Sequence, residues 1–229
     1  MTSSAWVVGS RGGIGSACAA GLEADGMSVH RSDTPDEDVT RPGVAAAVAG
    51  RMARHGSIGA AVFAIGMSGR RFGDGPIRSC TDEGWHEVMR VNLTSAFAFL
   101  RACLNYCADG ASVVLIGSAL ASRLDADFLT AAYRASKAAL VALAEMAAFE
   151  GAAHRIRVNV VSPGLVDTPM SERARDSAAI QSRYPALMPL TQRPASAADV
   201  AAAVRWLVSD QSANTTGAVV PVDGGWNLH

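Results

Sequence analysis

Short apolar runs alternate along the chain with longer stretches whose hydrophobic positions recur at three- and four-residue spacing. The runs at residues 5–9, 27–31, 58–64, 112–116, 157–161 and 218–222 predict buried strands. Helices are predicted over 13–25, 42–54, 82–107, from Tyr133 to about Ala153, and over 197–208, with Thr81 and Ser196 as N-caps. Apolar strands that alternate with helices call for a parallel sheet covered on both faces. Ligands of such sheets bind at the carboxyl ends of the strands. Residues 163–194 carry Pro, Met and Ser without a clear period, and are expected to form a lid over that end, with 165–194 as the substrate loop.

Two strand ends carry readable chemistry. Gly9-Ser10-Arg11-Gly12-Gly13-Ile14-Gly15 follows the first strand and opens the first helix. Glycines there allow a tight turn, close approach of backbone to a pyrophosphate, and close packing of helix on strand. Asp33 ends the second strand, where a carboxylate can accept hydrogen bonds from both hydroxyls of an adenosine ribose and repel a 2′-phosphate. Asp36, Glu37 and Asp38 add to that repulsion, which favours NAD over NADP, although Arg11 and Arg31 stand close enough to meet a phosphate.

Further along, Tyr133 and Lys137 lie one helical turn apart on the same face. A cation beside a phenol favours the phenolate, which lets a tyrosine of reference pKa about 10 exchange protons nearer neutrality. Taken alone, the pair reads as a surface tyrosine and a solvated lysine.

Composition narrows the partners. With 229 residues, 49% hydrophobic and 18% charged, the chain reads as one globular domain over 1–229. A net charge of −1 and the absence of a Lys/Arg block argue against a nucleic-acid partner. No apolar run reaches the roughly eighteen residues that span a bilayer, and MTSSAWVVGSRGG has no basic leader, so a cytoplasmic location is expected. Cys18, Cys80, Cys103 and Cys107 make no metal or redox motif and fit small buried residues of a reducing compartment. No His/Asp/Glu spacing suggests a metal, and neither Ser10 nor Ser118 lies in G-x-S-x-G, which disfavours a hydrolase.

The chain resembles the short-chain dehydrogenases/reductases. GSRGGIG, DVT at 38–40, VNL at 91–93, IGS at 116–118, YRASK, SPGLVDTP and VDGG occur in that family's order over essentially the whole length. The resemblance implies a Rossmann-type doubly wound α/β fold of three αβα layers. It implies a catalytic tetrad of Asn92, Ser118, Tyr133 and Lys137. Tyr133 would be the general acid/base, Ser118 would steady the substrate oxygen, Lys137 would lower the tyrosine pKa and bind the nicotinamide ribose, and Asn92 would hold a relay water. Cofactor contacts would come from Gly9, Arg11, Gly13, Ile14 and Gly15, from Asp33, and from Asp38 and Val39 at adenine. Ala64, Gly66, Tyr133, Lys137, Pro163, Gly164, Val166 and Thr168 would contribute toward the nicotinamide end.

The implied activity is NAD(H)-linked interconversion of a secondary alcohol and a ketone in a homotetramer or dimer, with the helices bearing Asn92 and Tyr133 packing between subunits. An NADPH-dependent ketoreductase of 3-oxoacyl-thioesters or polyketides, and a non-catalytic cofactor-binding regulator, remain as alternatives. The chain departs from the family pattern at Val8, where a threonine is usual, and at Phe63-Ala64-Ile65-Gly66, where Asn-Asn-Ala-Gly is usual. Only four residues separate Asp33 from Asp38, whereas a helical crossover needs about a dozen. The helix after the second strand is therefore expected to be missing or vestigial, along with most of a third strand, leaving the adenine end open to solvent.

Overall fold

Trp6 and Val8 face one layer of helices while Ala5 and Val7 face the other, and all four are fully buried. That two-residue alternation, apolar on both faces, is the signature of a strand enclosed in a parallel sheet. The computed structural model describes residues 4–228. The first half runs through β1 (Ser4–Val8), α1 (Gly13–Ala24), β2 (Ser28–Ser32), α2 (Val44–His55) and β3 (Ile58–Phe63). Helices α3 (Asp82–Val88) and α4 (Ser95–Tyr106) follow, then β4 (Ser112–Ile116), α5 (Ala131–Gly151) and β5 (Arg157–Pro163). Three single-turn helices, α6 (Glu172–Arg175), α7 (Ala178–Gln181) and α8 (Tyr184–Leu187), precede α9 (Ala197–Val208) and β6 (Val219–Val222).

The six strands are all parallel, in the order β2-β1-β3-β4-β5-β6. Helices α2, α4 and α5 cover one face through Val48, Phe99, Leu100 and Leu140. Helices α1 and α9 cover the other through Cys18, Leu22, Val200, Val204 and Leu207. The architecture is the Rossmann-type αβα sandwich that the strand–helix alternation predicts.

The segment directly after β2 lacks a helix, as expected. Residues 33–43 form turns with neither helix nor strand, and β2 is left as the sheet edge. The turn folds Glu37 back against that edge, where it accepts from Ser32 Oγ at 2.6 Å, meets His30 Nε2 at 2.8 Å, and pairs with Arg51. Trp6 Nε1 donates to Ser32 Oγ at 2.8 Å, so the indole N–H buried by β1 is satisfied within the same network. Burial pushes the Glu37 carboxyl upward, but Ser32, His30 and Arg51 outweigh it and hold the group below its ordinary value.

At the end of β3, aromatic packing stands where the family's asparagine would bond. Phe63 and Trp6 lie against Phe99, with ring centroids 5.4 and 4.9 Å apart, and all three are fully buried. The chain still keeps the backbone in register, because Ala64 N donates to Val8 O at 3.0 Å.

Two differences from the sequence reading bear on the site. The helix expected over 82–107 is broken into α3 and α4 by a π-helical turn, Met89–Thr94, that carries Asn92. Wider turns of this kind add a residue to the coil and re-aim the side chain they hold. The expected lid is also more regular than a loop. Ile180, Leu187 and Met188 close on Leu165 and Trp226 as a third apolar cluster. Arg183 ties it to Asp125, at 2.6 Å, and to Asp127, while Arg175 pairs with Asp167 at 2.8 Å. Among the described residues, no helix is long and apolar enough to cross a membrane.

Candidate active site

Gly9 adopts φ +77° at the end of β1, a left-handed conformation that side chains rarely take. It lies so close to β3 that a Cβ would meet the Ala64 carbonyl carbon at 2.8 Å. A Cβ on Gly15 would stand 2.1 Å from Gly9 O, and one on Gly13 would stand 2.8 Å from Thr168 Cγ2. The glycine turn is thus pressed against the start of α1, the end of β3 and the segment after β5. The first turn of α1 carries backbone N–H groups free to meet an anion.

Asp33 Oδ2 accepts from Arg11 N at 2.7 Å and Oδ1 from Thr34 N at 2.8 Å, which ties the glycine turn to the end of β2. The Arg11 side chain turns outward to Thr34 O and pairs with Asp36 at 2.9 Å. Arg31 pairs with Glu23 at 2.9 Å. Asp38 holds Thr40 through its hydroxyl at 2.7 Å and its N–H at 3.0 Å, and the Val39 side chain is buried in the core.

A cleft of about 850 Å³ opens beyond the carboxyl ends of the strands. Of the residues singled out in the sequence, Ile14, Ala64, Gly66, Ser118, Tyr133, Lys137, Pro163, Gly164, Val166 and Thr168 line it. Met67, Leu120, Leu165 and Met170 line it too. Asn92 is fully buried behind the cleft wall. Its Oδ1 accepts from Met67 N at 2.9 Å, and its Nδ2 donates to Met67 O and to Ser136 Oγ, each at 3.1 Å. Ser136 Oγ in turn donates to Tyr133 O at 2.7 Å.

Lys137 is 2% exposed, and its Nζ donates to Ile116 O at 2.7 Å. Burial pushes its pKa down from 10.5 to about 8. Burial also pushes the Tyr133 phenol above its ordinary value, opposed by a hydrogen bond with Ser118. The Lys137 ammonium is engaged with Ile116 and lies 5.9 Å from the centre of the Tyr133 ring.

One residue of the site escaped the sequence reading. Asp74, buried in the loop after β3, accepts from Ala132 N at 3.0 Å and from Tyr133 N at 2.9 Å. It caps α5 from outside, where Thr130 provides no side-chain bond, and starts the helix two residues before Tyr133. An aspartate 59 residues away in sequence gives no local cue.

Comparison with known proteins settles the family. A model described as enoyl-(acyl carrier protein) reductase matches residues 36–227. A 3β-hydroxysteroid dehydrogenase of Eggerthella lenta is 31% identical, with 97% of this chain and 93% of that protein covered. A short-chain dehydrogenase/reductase of Pyricularia oryzae is 32% identical over 81% of this chain and 69% of its own. The chain belongs to the short-chain dehydrogenase/reductase family. A solved short-chain dehydrogenase/reductase from Mycobacterium ulcerans superposes with a TM-score of 0.88 at 28% identity, covering 100% of this chain and 92% of that one. As a short-chain dehydrogenase/reductase, the protein is an oxidoreductase.

Two outcomes are expected from this geometry. Asp74→Ala strands two N–H groups at the start of α5 and should cost about 1–3 kcal/mol in urea unfolding, with turnover falling further than stability alone explains because Tyr133 loses its anchor. The second concerns pH. Below pH 8 the fold holds a desolvated Lys137 ammonium. Between about 8 and 10.5 the folded chain has released that proton while the unfolded chain keeps it, so this group makes stability rise with pH across that window. Thermal unfolding of Lys137→Met without ligand should lack this rise.

Proposed function

We propose that this oxidoreductase interconverts a secondary alcohol and a ketone with NAD(H), and that Tyr133 exchanges the proton of the substrate oxygen. The observation that carries this reading is the convergence of Ser118, Tyr133 and Lys137 on one cleft that extends to Ile14 at the start of α1. A dinucleotide fits such a place. No Cβ fits at Gly9, Gly13 or Gly15, where the turn packs against Ala64, Thr168 and its own backbone, so the turn stays tight beside the N-terminus of α1, where a pyrophosphate would meet backbone N–H groups. Gly9, Gly13, Ile14 and Gly15 would hold the pyrophosphate, Asp33 the adenosine ribose, and Asp38 and Val39 the adenine. Val166, Thr168 and Lys137 would hold the nicotinamide end, with Ala64, Gly66, Pro163 and Gly164 as its walls.

A nicotinamide, when bound, supplies the hydride acceptor or donor. In reduction the neutral Tyr133 phenol gives its proton to the substrate oxygen, in oxidation the phenolate left behind takes the hydroxyl proton back, and Ser118 steadies charge developing on that oxygen. With its pKa near 8, Lys137 can give and recover a proton close to neutral pH beside that phenol. Asn92 fixes the backbone at Met67 and, through Ser136, the turn that carries Tyr133. Its role is positioning of the acid–base residues. NAD is favoured over NADP because both nearby arginines are already engaged, Arg11 by Asp36 and Arg31 by Glu23, beside the Asp33 carboxylate. Exposed Phe97 on α4 and exposed Met146 and Phe149 on α5 support assembly into a homotetramer through those helices, which light scattering reads directly.

A second reading has one observation behind it. An acetoacetyl-CoA reductase of Acinetobacter is 33% identical over 68% of this chain and 62% of its own, which favours the alternative of a ketoreductase acting on acyl-thioesters.

Nicotinamide fluorescence and absorbance decide between these. NADH should bind more tightly than NADPH, and Asp33→Ala should narrow the gap. Tyr133→Phe should lower turnover about a hundred- to ten-thousandfold with NADH affinity nearly intact. Near-normal turnover in that variant would falsify the assignment of the acid/base.

A further inference from the structure

The lid and the loop after β3 contribute arginines of two kinds. Arg175 and Arg183 are bound to aspartates and hold the lid in place. Arg70 and Arg71, in the loop after β3, and Arg173, on α6, line the cleft instead. Among the described residues, none of these three has a carboxylate within ion-pair distance. Arg71 is partly compensated, since its charge helps hold Glu87 below its ordinary value. Arg70 is not. Burial pushes its guanidinium below the ordinary value, the neighbouring Arg173 cation adds to this, and Asp74 opposes it. The Asp74 carboxylate is meanwhile occupied by the N–H groups of Ala132 and Tyr133.

Arg173 is held in position from behind. It donates to Asp127 O at 2.9 Å and lies 5.7 Å over the Phe128 ring, which packs edge-on against Trp226 at 5.2 Å. One carboxylate, Glu172, shares the lining, so cations outnumber anions three to one at this part of the wall. Two guanidiniums that repel each other and have no carboxylate at ion-pair distance are stabilised by an anion placed between them. The rest of the lining that they share with the half-buried Tyr133 includes the apolar groups Met67, Leu120, Leu165 and Trp226. A flexible lysine pair would give point charges, whereas planar guanidiniums can grip an oxyanion through paired N–H donors.

We propose that Arg70 and Arg173, with Arg71 beside them, bind an oxyanion carried by the substrate, a carboxylate or a phosphate, separated by an apolar stretch from the oxygen that meets Tyr133. The substrate class is then an anionic hydroxy or keto compound. This rests on the alcohol/ketone reading of the same cleft.

The test is calorimetric titration with three six-carbon probes, hexanoate, hexyl phosphate and 1-hexanol, into the protein with and without NADH. At least one anion should bind about tenfold or more tightly than hexanol, in keeping with charge-assisted bonds from two arginines. The preferred anion identifies carboxylate or phosphate. In the Arg70→Met/Arg173→Met variant that anion should lose about tenfold in affinity, and Arg70→Lys should lose less. Affinities for hexanol and NADH should stay at parental values. Equal binding of hexanol and both anions, no measurable binding of either anion, or an unchanged anion affinity in the double variant would overturn the proposal. NADH binding is read in the same instrument by itself. Its absence would count against the oxidoreductase mechanism, while the anion preference stands or falls on the probes alone.

Discussion

An ammonium group sealed from water with a single carbonyl for company is the constraint around which the rest of the site is arranged. Lys137 has no carboxylate partner among the described residues, and its Nζ meets only Ile116 O at hydrogen-bond distance. Leaving a charge in such surroundings is unfavourable, and the response is a proton held loosely. The neighbourhood must also leave space. A Cβ on Gly66 would stand 3.3 Å from Nζ, so a larger residue at that strand end would crowd the amine. Tyr133, one turn away, is likewise desolvated and keeps its proton. The unliganded site is therefore a neutral phenol beside an easily neutralised amine, and a bound polar group would alter both.

Stiffness comes from backbone contacts made by side chains distant in sequence. Asp74 caps α5, Asn92 holds Met67 and Ser136, and Asp33 joins the glycine turn to β2. Each uses a short polar side chain with few rotamers to bond backbone N–H groups. Such bonds orient a segment at little entropic cost. The aromatic trio of Trp6, Phe63 and Phe99 secures the same region from the core side.

The strands, the covering helices and the glycine turn were legible in the sequence because their information is local: apolar periodicity, caps and punctuation by glycine. The absence of a helix directly after β2 was legible for an equally plain reason, since the four residues between Asp33 and Asp38 cannot span a helix and return. What could not be read depends on partners far along the chain. Asp74 looks like any loop aspartate until α5 is brought to it. The π-helical turn at Met89–Thr94 lies within an uninterrupted helical pattern, and only the packing around Asn92 distinguishes it. The division of arginines between Arg175 and Arg183, which fasten the lid, and Arg173, which lines the cleft, follows from where Asp125, Asp127 and Asp167 fall in space.

The shortened crossover leaves β2 with one side of its backbone unpaired by any strand of its own sheet. A row of free N–H and C=O groups is a template on which another chain can add a strand. Here the exposed edge is short and carries His30 and Arg31, and Glu37 is bound across His30 and Ser32. An incoming strand would have to strip charged groups of their water and displace that carboxylate. The same turn that trimmed the nucleotide end of the fold therefore also guards the molecule against edge-to-edge aggregation.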